Sequence, residues 1–114
     1  MIVRVWHGWT PPERADAYEE LLREEIATGF AGREIPGYLG LRILREARGN
    51  EVEFLILTSF ESLDSVRGFA GEDYERAVVP DAARKLLSRF DERARHYEVR
   101  AEVPAAPGPE GGGG

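Results

Sequence analysis

Apolar residues are concentrated in short stretches of the chain that favour strands over helices. Residues 2–9 are rich in β-branched and aromatic side chains, and residues 51–60 are mostly apolar, which predicts strands. The predicted strands cover residues 2–9, 38–47, 51–60 and 92–101. Only Gly49 and Asn50 separate the second strand from the third, which is typical of an antiparallel hairpin.

A helix is predicted between the first two strands. Tyr18, Leu21, Leu22 and Ile26 recur at helical spacing, and Gly29 and Gly32 are expected to end the helix. Residues 10–13 have the sequence of a capping box. In that motif Thr10 accepts a hydrogen bond from the third amide of the helix, and Glu13 reaches back to Thr10.

A second helical region is predicted between the third and fourth strands. Ser62 is the expected N-cap, Leu63, Val66 and Phe69 form an apolar stripe, and Gly71 is the expected end. A further short helix, introduced by Val79, Pro80 and Asp81, is expected to carry Leu86 and Leu87.

The order strand, helix, strand, strand, helix, strand predicts an α+β domain with a ferredoxin-like βαββαβ fold. In this fold both helices pack on one face of a four-stranded antiparallel sheet. We expect the domain to cover residues 1–102. Residues 103–114 are rich in Pro and Gly and bury little apolar surface, so a flexible tail is expected there.

Two of the predicted strands carry apolar side chains on both faces, whereas a sheet with one wet face alternates apolar with polar residues. These side chains are Val52, Phe54 and Ile56 against Leu55 and Leu57, and Val3, Val5 and Trp9 against Ile2 and Trp6. The helices cover only one face. The second face therefore predicts a homodimer in which another copy of the sheet covers it.

Composition excludes several classes of protein. The net charge of −6 argues against nucleic-acid binding, because such domains neutralise phosphates with a basic surface. The chain has no cysteine, so disulfides and Cys-based metal sites are excluded. No apolar run approaches the roughly 20 residues of a membrane span, and no signal peptide is evident, so we expect a cytoplasmic protein that does not bind membranes.

Four segments resemble the antibiotic-biosynthesis-monooxygenase-like (ABM) family of dimeric α/β barrels. They are residues 3–8 (VRVWHG), 53–60 (EFLILTSF), 69–77 (FAGEDYERA) and 96–99 (HYEV). The resemblance covers roughly residues 1–100 and implies a homodimer whose two sheets face each other to form a barrel. Each protomer would keep a pocket between its sheet and its helices.

The resemblance implies two kinds of chemistry. One branch of the family oxidises activated polycyclic phenols with molecular oxygen and uses no metal or flavin, so no cofactor is expected there. The other branch degrades haem with an Asn on the first strand, a Trp on the second helix and a haem-ligating His after it. In this chain His7 and Phe69 occupy roughly the first two positions, and Arg76, Ala77 and Val78 lie near the third. The haem branch therefore fits poorly.

Five residues are candidates for the site. In a monooxygenase, His7 would act as a base or orienting group and Tyr74 as a proton donor, with Trp9, Phe69 and His96 binding the substrate. We expect Trp9 to lie with His7 in the helix-side pocket and Trp6 to lie at the dimer interface. For each candidate, a purely structural role in the core stays open. No histidine and carboxylate spacing within one element indicates a metal site.

The residues and the resemblance leave three functions open. The first is a cofactor-independent monooxygenase that acts on an aromatic, polyketide-like small molecule. The second is a homodimer without enzymatic activity that binds an apolar aromatic ligand, for example in a stress response. Haem binding and degradation is the third. The residues alone do not establish that the protein is an enzyme.

Overall fold

The computed structural model describes residues 1–26, 29 and 34–107, and the sheet within it is built around a central first strand. The strands are β1 (Ile2–Thr10), β2 (Tyr38–Arg48), β3 (Glu51–Phe60), β4 (Arg89–Phe90) and β5 (Arg95–Glu98). The helices are α1 (Ala15–Glu25), α2 (Leu63–Ala70) and α3 (Asp81–Arg84), and a single 3-10 turn at Pro12–Arg14 precedes α1.

The sheet is antiparallel throughout, in the order β2-β3-β1 with β4 and β5 both paired to the far side of β1. Together β4 and β5 occupy the place of one fourth strand. The α+β, ferredoxin-like prediction is confirmed. The hairpin turn at Gly49 is also as expected, with a positive φ of 57° that glycine adopts without strain.

The last strand was predicted as one stretch over residues 92–101, and that prediction is wrong. The structure has two short strands with residues 91–94 between them. There the chain leaves the edge of β1: the Ala94 amide donates to the Glu75 carbonyl and the Ala77 amide to the Glu92 carbonyl. The segment that follows α2 therefore competes with β1 for the backbone groups of this stretch.

All the helices pack on the same face of the sheet, which we call the helix face. Its buried residues include Phe54 and Val52 of β3 with Tyr18 of α1, and Phe60 with Val66 of α2. Tyr18 meets Phe54 edge to face, with ring centroids 4.9 Å apart. Leu86 and Leu87 follow α3 rather than lying in it, and Leu87 is buried in the same core.

One predicted helix cap is wrong and the other is confirmed. Thr10 is the last residue of β1 and is fully buried, so its hydroxyl lies in the core and caps no helix. The 3-10 turn and α1 have no side-chain cap. Ser62, by contrast, accepts a hydrogen bond from the Ser65 amide at 3.2 Å and begins α2 as predicted. Gly71 ends that helix with a positive φ of 91°.

The expected helix end at Gly32 and the expected tail at residues 103–114 concern parts of the chain that the structure describes little or not at all. Gly32 and residues 108–114 lie outside the described residues, and residues 103–107 carry neither helix nor strand. Among the residues that the structure covers, no helix is long and apolar enough to cross a membrane.

Candidate functional site

A cavity of about 250 Å³ lies between the helix face of the sheet and the helices. Most of its wall is apolar. The lining residues from the sheet are Arg4, Trp6, Leu41, Ile56 and Thr58. Those from the helices and the segments beside them are Tyr18, Leu21, Leu22, Glu25, Ile26, Gly29, Phe69, Val78, Val79, Pro80 and Ala83.

The floor of the cavity follows from the pairing of β1 with β3. Arg4 pairs with Thr58 and Trp6 with Ile56, and paired residues point to the same face. Because side chains alternate along a strand, the even-numbered residues of β1 face the helices. Two aromatic rings, Trp6 below and Phe69 from α2, form flat walls around the space.

Arg4 is the polar centre of the floor and is only 6% exposed. Its Nη1 donates to the Tyr74 carbonyl and lies 3.0 Å from Nε2 of His96, and its Nη2 donates to the Arg76 carbonyl at 3.2 Å. The guanidinium carbon lies 5.7 Å from the centre of the Phe69 ring. Burial lowers the pKa of the Arg4 guanidinium from its usual value.

Two features fix the position of the Trp6 indole, a hydrogen bond from its nitrogen and the space left by a glycine. The indole Nε1 donates to the Asp91 carbonyl at 2.7 Å. The neighbouring position on the same face is Gly8, where an added Cβ would lie 2.8 Å from Cη2 of Trp6. The glycine therefore makes room for the indole against the sheet, and this position sets the shape of one cavity wall.

Tyr18 brings a hydroxyl to the cavity wall. Its side chain is almost fully buried, and burial raises the pKa of the phenol. The group therefore stays protonated and can donate a hydrogen bond. Among the described residues, none accepts from it or donates to it, so this donor is available to a ligand in the cavity.

Two of the predicted site residues lie on the wrong side of the sheet for this cavity. His7 and Trp9 are odd-numbered positions of β1 and face away from the helices, whereas Trp6 lines the cavity. The prediction that Trp9 and His7 share the helix-side pocket, with Trp6 at the dimer interface, is therefore wrong. The sequence showed apolar residues on both faces but not which face the helices would cover.

The other three predicted residues lie on the helix side, and one of them lines the cavity. Phe69 is in its wall. His96 lies behind Arg4, and its ring meets that of Tyr74 edge to face at 5.1 Å. Tyr74 packs beside Val66 with its carbonyl bound to Arg4. The roles given to these residues stay predictions.

His7 forms a separate arrangement on the sheet face opposite the helices, which we call the open face. Its Nδ1 lies 2.7 Å from a carboxylate oxygen of Asp91, and the same oxygen accepts from the His7 amide at 3.1 Å. The imidazole stacks on Trp9 with ring centroids 5.7 Å apart, and the guanidinium carbon of Arg89 lies 3.9 Å from the centre of the Trp9 ring. Asp91 thus fixes His7 on the open face and, through its carbonyl, Trp6 on the helix face.

Sequence reasoning missed the polar residues of the cavity and one of its aromatic walls, namely Arg4, Tyr18, Glu25, Thr58 and Trp6. The available signal was Arg4, a charged residue in the middle of an apolar strand. Such residues are buried only where a partner or a ligand offsets their desolvation. Among the described residues, no group of three His, Asp or Glu side chains is placed to hold a metal.

A comparison with models of protein families identifies the family. The family model for antibiotic biosynthesis monooxygenase matches residues 1–81. The chain belongs to the antibiotic biosynthesis monooxygenase family. No curated protein matches its sequence.

Solved ABM-like structures share the fold. A candidate antibiotic biosynthesis monooxygenase from Bacillus cereus is 14% identical, with a TM-score of 0.62 over 91% of this chain and 97% of that one. The heme-degrader MhuD from Mycobacterium tuberculosis, solved with two hemes in its active site, is 22% identical. Its TM-score is 0.55 over 91% of this chain and all of that one.

Proposed function

We propose that the protein is a homodimeric, cofactor-independent monooxygenase that oxidises an aromatic small molecule in the helix-face cavity. The observation that carries the proposal is the cavity itself, with flat aromatic walls at Trp6 and Phe69 and few polar groups. Ligand sites of this kind are concave and mostly apolar, with a small number of placed polar groups. Its place between sheet and helices matches the pocket that the family resemblance implies.

The reaction requires little of the protein beyond binding and proton transfer. A substrate of the anthrone type loses a proton from the ring carbon, and the resulting anion reduces oxygen. One oxygen atom becomes the new carbonyl, and the other leaves as water with the two hydrogens of that carbon. Glu25, the one carboxylate among the described lining residues, is the candidate base at the cavity wall.

The homodimer rests on the open face. Val3, Val5, Leu55 and Leu57 share this face in the observed register, and Leu44 and Tyr97 beside them are 40% and 51% exposed. An apolar surface of this kind marks an interaction site. A second copy of the sheet offers a surface of the same shape and chemistry, as two-fold symmetry requires.

Haem is a weaker candidate for the same cavity, although MhuD binds it. Iron in haem proteins is held by His, Cys, Met or Tyr side chains. Of these types, the described lining residues include only Tyr18, whose side chain is packed edge to face against Phe54 in the core. His7 lies on the open face and His96 behind Arg4. The donors of this cavity therefore do not fit haem.

Oxygen consumption with anthrone-type and quinol substrates tests the proposal. We expect uptake coupled to quinone formation, and loss of that uptake in Leu22→Trp, which fills the cavity with an indole. A His7→Ala variant is the second arm. If His7→Ala abolishes uptake and Leu22→Trp does not, the reaction belongs to the open face and this proposal fails.

Thermal stabilisation by these compounds without turnover gives a different answer. That outcome identifies a ligand-binding homodimer without oxygenase activity. A shift of the Soret band on titration with haem would contradict the donor argument above. Each outcome therefore selects one of the three functions.

A further inference from the structure

The buried Arg4 guanidinium in the cavity floor has no carboxylate partner among the described residues. None of the ion pairs formed by the described residues includes Arg4, although ten such pairs connect other residues. Arg45, on the same sheet face, shows the usual arrangement and pairs with both Asp16 and Glu19 at 3.0 Å. The two arginines differ in burial, because Arg45 is at the surface and Arg4 is in the cavity floor.

The guanidinium of Arg4 also has donors to spare. An arginine carries five N–H groups. Two backbone carbonyls, those of Tyr74 and Arg76, accept from Nη1 and Nη2, and Nε2 of His96 lies within hydrogen-bond distance of Nη1. The Nε–H and one Nη2–H have no acceptor among the described residues. All three partners found are uncharged, so they orient the cation without neutralising it.

An uncompensated charge in an apolar wall is costly, and a fixed cation of this kind is a preorganised site for an anion. Two hydroxyl groups line the same cavity and can add hydrogen bonds: that of Thr58, paired with Arg4 across the strands, and that of Tyr18. The wall also holds two flat aromatic side chains, Trp6 and Phe69, and the Phe69 ring lies against the guanidinium. The surroundings thus select for a flat ring that carries a negative charge.

We propose that Arg4 is the specificity-determining residue of the cavity and binds an anionic oxygen of an aromatic ligand. The inference rests on the proposed function only in placing the ligand in this cavity. It names a ligand class, aromatic compounds with an ionised oxygen, which covers carboxylates, phenolates and the anion that an anthrone-type substrate forms when it loses its proton. Neutral hydrocarbons and neutral alcohols of the same shape are poor ligands.

Calorimetric titration of the full chain with two-ring probes tests this. Naphthoate carries the charge, and naphthalenemethanol is its neutral counterpart of similar shape. A cavity of about 250 Å³ suits two fused rings. We expect naphthoate to bind at least ~tenfold more tightly, since hydrogen bonds to charged groups contribute more than neutral ones. Naphthol separates the two sources of charge, because affinity that rises with its ionisation identifies a phenolate site.

Three variants assign the preference to Arg4. Arg4→Gln should bind both probes with similar affinity, and Arg4→Lys should keep part of the preference, because it retains the charge without the planar fork. Arg45→Gln is the matched control, with the same change of charge on the same sheet face outside the cavity. It should leave the preference unchanged.

Three results would overturn the inference: equal binding of the two probes by the unmodified chain, a preference that survives in Arg4→Gln, or no binding of either probe. If Arg4→Gln does not fold, the comparison in the unmodified chain and in Arg4→Lys still decides. Oxygen uptake is a separate readout. Selective naphthoate binding without oxygen uptake would support the anion site and contradict the proposed oxygenase activity.

Discussion

Two side-chain hydroxyls at element boundaries differ in whether they have a partner. Ser62 Oγ accepts from the Ser65 amide at the start of α2. Thr10 Oγ1 is buried at the end of β1 and has no hydrogen-bond partner among the described residues. The sequence predicts both as helix caps, because Ser and Thr are preferred at the N-cap and Pro is preferred at the first helical position. Only the burial of the strand end distinguishes them.

Replacing these hydroxyls should change stability in opposite directions. Ser62→Ala should lower the free energy of unfolding by about 1 kcal/mol, since a helix cap is lost. Thr10→Val should leave it unchanged or raise it by about 1 kcal/mol, because an unsatisfied buried polar group is exchanged for a methyl group of the same shape. Urea unfolding measures both. If Thr10→Val loses as much free energy of unfolding as Ser62→Ala, Thr10 does act as a helix cap.

His96 makes the stability of the fold depend on pH. Burial first, and then the charge of Arg4, lower the pKa of His96 from 6.5, although Glu75 acts in the opposite direction. The folded chain therefore takes up this proton less readily than the unfolded chain. The stabilising contribution is complete above about pH 6.5 and is lost as the pH falls below that value toward the lowered pKa.

Urea midpoints measured between about pH 7 and about pH 5 test this. The His96→Gln variant is the comparison, because glutamine keeps an acceptor for Arg4 and does not titrate. We expect the unmodified chain to lose more stability on acidification than the variant does. Parallel losses in the two proteins would mean that other groups carry the pH dependence.

At the scale of elements, β1 shows how much of the site could be predicted. Its existence followed from its β-branched and aromatic residues, its place in the sheet from the order of the elements, and its two apolar faces from apolar residues at both odd and even positions. The choice of face did not, because Trp6 and Trp9 are equally suited to a core. Contacts far apart in sequence decide it: Tyr18 of α1 packs on Phe54, which lies beside Gly8 on the even-numbered face.

The division of the fourth strand was equally hidden from the sequence. Residues 92–101 have no proline or glycine that would interrupt a strand. The interruption comes from Asp91, whose carboxylate binds the backbone and ring of His7, and from pairing with the chain after α2. Both causes are tertiary contacts. Phe69 was found because it lies in a regular helical stripe, where local spacing is sufficient.

Gly8 in β1 has no room for a side chain, because Trp6 and Leu87 pack close to its backbone. A methyl group at Gly8 would lie 2.8 Å from the Trp6 ring and 3.0 Å from Leu87. Gly8→Ala should therefore lower the free energy of unfolding by about 1–3 kcal/mol, as overpacking does. It should also weaken binding in the cavity, because the Trp6 wall has to move.

Gly68→Ala is the matched control in α2, where no heavy atom lies within 4 Å of an added Cβ. Helix propensity predicts no loss there, and a gain of up to about 1 kcal/mol. Thermal unfolding and naphthoate titration compare the two variants. Equal effects of the two substitutions would show that Trp6 and Leu87 adjust without cost.

At the scale of the whole molecule, the open face is the surface proposed for the dimer, and the ligand cavity lies on the other side of the sheet. It holds apolar side chains around Val5 and Leu57, which are paired across the strands, and it also holds the His7–Asp91 pair. In a dimer formed through this face, His7 lies inside the interface, away from the cavity of its own protomer. The cavity opens on the other side of the sheet, so each protomer keeps its own ligand site.

Leu57→Arg should therefore dissociate the dimer and leave the cavity in place. An arginine at the centre of an apolar interface would be buried without a partner, which costs more than the interface recovers. Val103→Arg makes the same change at an exposed apolar residue beyond β5 and should remain dimeric. Light scattering at micromolar concentration measures the masses, and naphthoate titration reports on the cavity. If the unmodified chain is a monomer, the proposed dimer is wrong. If Leu57→Arg is still a dimer, the interface lies on another surface.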